Sequence, residues 1–196
     1  MDIESIKRLR ELTGVGITDA KKALVEADGD FDKALDAMRK KGLTKAEKRG
    51  EREARAGVIG TYNHDSRIGV LVEVNCETEF VARNELFTEL VKDLTMHIAA
   101  SAPEYVSIED VPADVREAAK VEFTEKAKAE GKPEAMLEKI VEGMLKKHFA
   151  ERCLMEQPFI KNPDQTVAVY VKEYIAKLGE NIVVRRMSRM QIGEVA

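Results

Sequence analysis

At Gly57 the spacing of apolar residues changes from three and four to two, so the chain is neither a plain helical bundle nor an all-β fold. Ahead of it lie Ile3, Ile6 and Leu9, then Ala20, Ala23, Leu24 and Ala27, then Phe31, Ala34, Leu35 and Met38, three helical stripes in succession. Beyond it Val70, Val72, Val74 and Cys76 share one face of an extended run, while Glu73, Asn75 and Glu77 share the other with Leu71. A strand pattern embedded among helical ones gives an α+β chain.

The turn chemistry divides the first part. Helix one stops at Thr13-Gly14-Val15-Gly16, Thr18 is the expected N-cap of helix two, Asp30 caps helix three, and Gly42 is expected to close it. Residues 1–42 are thus a small three-helix module, marginal alone because so short a chain buries little of its surface. Residues 43–56 are polar on all sides and read as a charged, solvated connector, helical apart from Gly50. The remainder, 57–196, is one α+β core.

Within that core Val58 to His64 and Arg67 to Asn75 flank Asp65-Ser66 as an antiparallel hairpin. A helix beginning at Asn84 turns Leu86, Leu90, Val91, Leu94 and Ile98 inward, covers the sheet, and ends before Pro103. Pro112 to Glu130 and a stronger stretch after Pro133 form a helical hairpin broken at Gly131. A helix from Thr166 to Leu178 stops at Gly179, and Asn181 to Ile192 supplies a closing strand. Its alternation fails around Arg185-Arg186-Met187, which predicts a bulge or an exposed edge. The sheet then has about three strands.

Composition narrows the function classes. At about 100 to 200 residues per domain, 196 residues hold one medium domain and at most one small companion. With 32 basic and 36 acidic side chains the net charge is −4, which gives no global attraction to nucleic acid. Eight basic residues between Arg39 and Arg55 face three glutamates, yet no aromatic is interleaved for base stacking, and the run reads as solvation. No apolar stretch approaches the roughly 18 residues of a membrane span, and the first residues lack a signal profile, so a cytoplasmic protein is expected. The two cysteines, Cys76 and Cys153, have no metal-ligand spacing and read as reduced, buried thiols.

Signs of bond chemistry are few. There is no phosphate loop, GxSxG or HExxH, and none of His64, His97 and His148 has another His or Cys at i+3 or i+4 with which to chelate a metal. His148 continues an apolar stripe. A Cys76–His97 thiolate pair is disfavoured because Cys76 shares the buried parity of its strand.

The oddity is the strand exit Asn75-Cys76-Glu77-Thr78-Glu79-Phe80-Val81-Ala82-Arg83-Asn84. A cap-like threonine is followed by one of only ten aromatic residues, set among charges at a tight strand-to-helix joint. From the residues alone Phe80 is equally a lid folded onto its own core or an exposed binding prong.

Two long runs resemble bacterial elongation factor Ts: Thr13-Gly14-Val15-Gly16-Ile17-Thr18-Asp19-Ala20-Lys21-Lys22-Ala23-Leu24, and Glu73 through Asn84. Met96 to Ala100, Glu130 to Pro133, Gln157-Pro158-Phe159 and Gly179-Glu180-Asn181-Ile182 also look like segments of that family, so the resemblance runs nearly end to end.

The resemblance implies a guanine-nucleotide exchange factor for elongation factor Tu rather than a catalyst of bond chemistry. It implies that the three-helix module is ubiquitin-associated-like and docks on the partner's nucleotide-binding domain through Ile17, Thr18 and Lys21. The family's Thr-Asp-Phe-Val motif falls on Thr78, Glu79, Phe80 and Val81, whose aromatic would disturb the partner's magnesium site. At position 79 this chain has glutamate where aspartate is common, one methylene longer, which puts the aspartate's contact in doubt. His97 falls where the family has a partner-contacting histidine, beside the alternative of a core histidine. The resemblance further implies a homodimer, which would bury the edge left by Asn181 to Ile192. No cofactor, metal, direct nucleic-acid partner or membrane is expected. The rival from another class is an adaptor that binds ubiquitin-like or nascent-chain partners through the three-helix module and leaves every nucleotide's off-rate unchanged.

Overall fold

A computed structural model of the chain describes residues 3–194. In chain order the elements are helices α1 (Ile3–Thr13), α2 (Ile17–Glu26) and α3 (Phe31–Glu47), strands β1 (Ala56–His64) and β2 (Ile68–Cys76), the single turn α4 (Glu79–Ala82) and helix α5 (Glu85–Ser101). Helices α6 (Ala113–Ala129) and α7 (Glu134–Arg152), short strands β3 (Pro158–Phe159) and β4 (Asn162–Thr166), helix α8 (Val167–Leu178) and strand β5 (Ile182–Gln191) follow. The result is the α+β architecture expected: N-terminal helices, a three-stranded antiparallel sheet and further helices. By packing the chain forms two units, one running through Met96 and resuming at Ala168, the other His97–Val167.

The first unit begins with a miniature core of Leu9, Ala20, Ala23, Leu24, Ala34 and Met38, drawn from all three N-terminal stripes. Gly14 ends α1 at φ +67°, a conformation that L side chains resist, and a methyl there would meet Lys177 Cα at 2.7 Å. Asp30 caps α3 by accepting the Lys33 N–H at 3.1 Å. Two local expectations are corrected. The N-cap of α2 is Gly16, without a side-chain bond, and Thr18 lies inside the helix. Gly42 does not close α3, which runs five residues further to Glu47. A Cβ at Gly42 would stand 3.2 Å from the Ala176 methyl, so that glycine serves a close helix–helix approach instead of a C-cap. The connector is correspondingly less solvated than its composition implies. Ala46 and Ala54 are buried, Glu47 accepts from Lys172 at 2.9 Å, and Arg49 donates to the Ile175 carbonyl at 3.3 Å, while ahead of the connector Arg39 pairs with Glu173 at 3.9 Å.

The sheet of this unit has the order β1-β2-β5. β1 and β2 pair antiparallel from Ala56↔Cys76 to His64↔Ile68, closed by a turn in which Asp65 and Ser66 have positive φ and Asn63 Oδ1 accepts the Ser66 N–H. Val70, Val72, Val74 and Cys76 are buried, as their parity predicts. β5 pairs with β2 and leaves Arg185 as the extra residue between Glu73↔Arg186 and Val74↔Val184. The bulge and the edge strand therefore coincide. α5 lies against the buried face: a methyl on Gly60 of β1 would overlap Val91 Cγ1 and come 3.0 Å from Thr95 Cγ2. Phe87, Leu90, Val91 and Leu94 face inward, whereas Leu86, expected inside, is 40% exposed. The buried stripe starts at Phe87 and continues regularly through Leu90, Val91, Leu94 and Ile98, which leaves Leu86 at its border. The Asn84 side chain accepts the Leu86 N–H at 2.9 Å as an N-terminal cap.

The second unit holds the hairpin of α6 and α7, turned at Gly131 with φ +70°. Val111, Ala119, Phe149 and Cys153 form its buried cluster, and His148 sits edge-on to Phe123 at 5.3 Å. The two-stranded β3–β4 ribbon has no forewarning in the hydrophobic pattern, since Asn162-Pro163-Asp164-Gln165 carries no apolar alternation.

Candidate functional site

The exit of β2 is held by side chains acting where the sheet stops. The β2–β5 ladder ends at Cys76↔Ile182. Beyond that pair, Glu180 Oε2 accepts the N–H groups of Glu77 (3.1 Å) and Thr78 (3.0 Å), and its Oε1 accepts the Thr78 hydroxyl at 2.6 Å. In return Glu77 Oε1 accepts the Asn181 N–H at 2.7 Å. The same Thr78 hydroxyl accepts the Val81 N–H at 3.3 Å and so caps α4. The Cys76 thiol donates to the Thr78 carbonyl at 3.2 Å.

This framework decides where Phe80 points. Val81 and Ala82 are buried against the unit's own core. On a single helical turn, residues 81 and 82 facing inward drive residue 80 outward. Phe80 is 82% exposed, the most exposed large hydrophobic side chain among the described residues. Of the two readings open at the level of residues, the lid folded onto its own core is excluded, because the ring is exposed. Glu79 is also exposed, and Glu79, Phe80, Arg83 and Asn84 surround a shallow depression.

The second group of predicted residues lies on α2. Ile17, Thr18 and Lys21 are all exposed at the start of that helix. Ile17 and Lys21 stand one turn apart, and Val25, 54% exposed, continues the row. Val25 was not singled out from the sequence, although its i+4 relation to Lys21 was there to be read.

His97 lies elsewhere. Its ring is fully buried, with Nδ1 accepting the Ile160 N–H at 3.3 Å and Nε2 bonded to Gln157 Oε1 at 2.9 Å. Gln157 Nε2 donates to the Glu151 carbonyl at 2.7 Å, which orients the amide so that its oxygen faces the ring and Nε2 of the histidine carries the proton. Burial holds the His97 pKa below its ordinary value, against the raising effect of the Gln157 bond. The expectation of a direct partner contact at His97 is therefore corrected: the ring has no surface to offer, and it anchors the segment carrying Gln157 and Phe159, whose ring lies 6.0 Å away.

Other reactive groups are sequestered. Burial, with the nearby Glu180 carboxylate, pushes the Cys76 thiol up to about 11, and burial does the same to Cys153. Asp93 accepts the Tyr170 hydroxyl at 2.7 Å, and burial raises the Tyr170 pKa, so that phenol stays a donor. Among the described residues no group of three His, Cys, Asp or Glu side chains is placed to hold a metal ion, and no helix is long and apolar enough to cross a membrane. The basic run has its own intramolecular partners, Arg52 lying 3.6 Å from Glu77 and Arg55 bonding Glu53 at 2.7 Å.

The fold and these surfaces define an α+β protein that presents a braced aromatic prong and an exposed helix face. Residues 32–175 match the family described as elongation factor TS. The chain is 52% identical over 190 residues to elongation factor Ts of Geobacter sulfurreducens, covering 96% of this chain and 88% of that one. It is 50% identical over 191 residues to elongation factor Ts of Thermodesulfovibrio yellowstonii, covering 97% and 96% respectively. The chain belongs to the elongation factor Ts family, and its role is in translation elongation.

Proposed function

We propose that this chain is a guanine-nucleotide exchange factor for elongation factor Tu, acting by binding and without making or breaking a covalent bond. The observation that carries the reading is Phe80: a large apolar ring held in water by a turn whose neighbouring residues are buried. A monomeric protein gains nothing from that exposure, whereas a partner pocket does. The α2 row of Ile17, Thr18 and Lys21 docks on the nucleotide-binding domain. Phe80, with Thr78, Glu79 and Val81 shaping its turn, enters beside the nucleotide and disturbs the groups that hold magnesium.

Exchange then follows from linkage. A chain that binds the nucleotide-free partner more tightly than the GDP form weakens GDP by the same factor. Burial of one phenylalanine is worth about 1.5–3 kcal/mol, which corresponds to roughly ten- to a hundredfold in nucleotide affinity if fully coupled. Glu79 carries the charge of the family's aspartate on a longer arm and is exposed. Its reach to the partner differs accordingly.

The chain works in the cytoplasm, where elongation occurs, and as a homodimer. The exposed side of the sheet supports the latter, since Ile59, Leu71 and Met190 are each more than half exposed on an otherwise ordered face bordered by edge strand β5. Release of fluorescent GDP from elongation factor Tu, with and without the chain, tests the central claim. Acceleration at sub-stoichiometric chain supports exchange. Tight binding with an unchanged GDP off-rate replaces it with the adaptor reading.

A further inference from the structure

We propose that Glu180 is the positioning residue for the Phe80 ring, fixing the prong from the opposite strand without itself touching the partner. The inference rests on the reading of Phe80 given above and goes beyond it by naming what holds the ring.

The argument begins with what α4 lacks. A helix of four residues is a bare nucleus, and nucleation is unfavourable without external support. Its internal ties are few: Ala82 N–H to the Thr78 carbonyl at 3.1 Å, the Thr78 cap on Val81, and Asn84 N–H to the Val81 carbonyl at 2.9 Å. One carboxylate, that of Glu180, accepts three further hydrogen bonds, from Glu77 N–H, Thr78 N–H and the Thr78 hydroxyl. Bonds to a charged acceptor are about twice as strong as neutral ones. They also set the Thr78 hydroxyl: because its proton goes to Glu180, a lone pair is left for the Val81 N–H, which is the bond that starts α4.

The brace extends further back. Glu77 returns a carboxylate bond to Asn181 N–H, so the two strand ends exchange side-chain oxygens where the backbone ladder has run out. Asn181 Nδ2 in turn donates to the carbonyls of Gly50 (3.3 Å) and Arg52 (2.6 Å), and Arg52 pairs with Glu77. Three stretches of chain, after α3, after β2 and before β5, converge on the base of the prong. Contact geometry is kept to about half an ångström only when supporting groups lock it in this way. A ring on a loosened turn still collides with its target but loses the ordering that makes its insertion productive.

The test is stopped-flow release of fluorescent GDP from elongation factor Tu over a range of concentrations of the full chain, for wild type, Glu180→Gln, Glu180→Ala, Phe80→Ala and the Glu180→Ala/Phe80→Ala pair. Glu180→Ala is expected to lower the saturating release rate about tenfold while the half-saturating concentration stays within about twofold, because the α2 row is untouched. Glu180→Gln falls between, since its amide oxygen retains an acceptor. The paired variant is expected to be no slower than Phe80→Ala alone. A general structural role would instead multiply the two losses, and that result overturns the proposal. A wild-type rate for Glu180→Ala also overturns it, as does a wild-type rate for Glu180→Gln should the alanine variant lose its near-ultraviolet circular dichroism. Phe80→Ala at the wild-type rate removes the prong reading itself. Slow release by Phe80→Ala beside normal release by Glu180→Ala removes only the positioning role.

Discussion

Phe80 and Val81 are consecutive residues of one helical turn, and the first is 82% exposed while the second is 5% exposed. The buried neighbour and its successor Ala82 make the outward course of the ring a property of the backbone rather than of a rotamer.

Because the ring touches water and little else, Phe80→Ala is expected to change unfolding free energy by less than about 0.5 kcal/mol. Stimulated GDP release should slow by roughly ten- to a hundredfold. Urea midpoints and release rates measured on the same preparation check both halves. A large fall in the midpoint would mean that the ring supports its own subunit.

Lys21 is exposed on α2 one turn from Ile17. Lys21→Glu is expected to weaken complex formation by about 1 kcal/mol, roughly fivefold, with the deficit shrinking at high salt. Titration calorimetry against elongation factor Tu reads this directly, and an unchanged affinity rejects docking through this residue.

Gly60 sits where α5 crosses β1, and a methyl there overlaps Val91 Cγ1. Gly60→Ala should destabilise the chain by about 1–3 kcal/mol through overpacking. Thermal unfolding checks it, and a midpoint equal to that of the wild type would show that the helix is free to shift.

Burial holds the His97 pKa below its ordinary 6.5. The unfolded chain therefore binds a proton more readily than the folded one, and stability rises with pH across this group's range. The contribution is fully present above pH 6.5, the ordinary value, and declines as pH falls below it toward the lowered folded pKa. Urea midpoints between pH 5 and 8 should show this decline, and His97→Gln should flatten it. The lowered carboxyl pKa values of Asp30 and Glu73 act below about pH 4.5, outside this window.

Both thiols are fully buried and pushed up to about 11. Iodoacetamide at pH 8 should leave the native chain unmodified by intact mass and label it twice in denaturant. Rapid native labelling of Cys76 would revive a thiolate role.

How far the sequence could be read depended on the range of the interactions involved. Val70, Val72, Val74 and Cys76 announced the buried face of β2, and Asp30 announced a cap, because each signal is completed within a few residues. Gly42 misled because its reason is Ala176, and Leu86 misled because Phe87, next to it, takes the inward position of that first turn. At the site, the cap-like Thr78 and the misplaced aromatic were visible, yet the direction of Phe80 needed the burial of Val81 and Ala82 to decide it. His97 stood open between a core position and a partner contact, and what decides it, Gln157 and Ile160, lies 60 and 63 positions away. Glu180 stood out only as part of a family-like segment, and its partner Thr78 lies 102 positions away.

Thr78 and Glu180 stand 102 positions apart. A ribosome adding about 5–20 residues per second takes roughly 5 to 20 seconds to travel from one to the other. Throughout that interval the growing polypeptide already carries Phe80 but not the carboxylate that grips its turn. A factor whose task lies in polypeptide synthesis thus waits on a late-made residue for its working shape, and premature termination anywhere between Phe80 and position 180 yields a fragment with an aromatic ring and no means of aiming it.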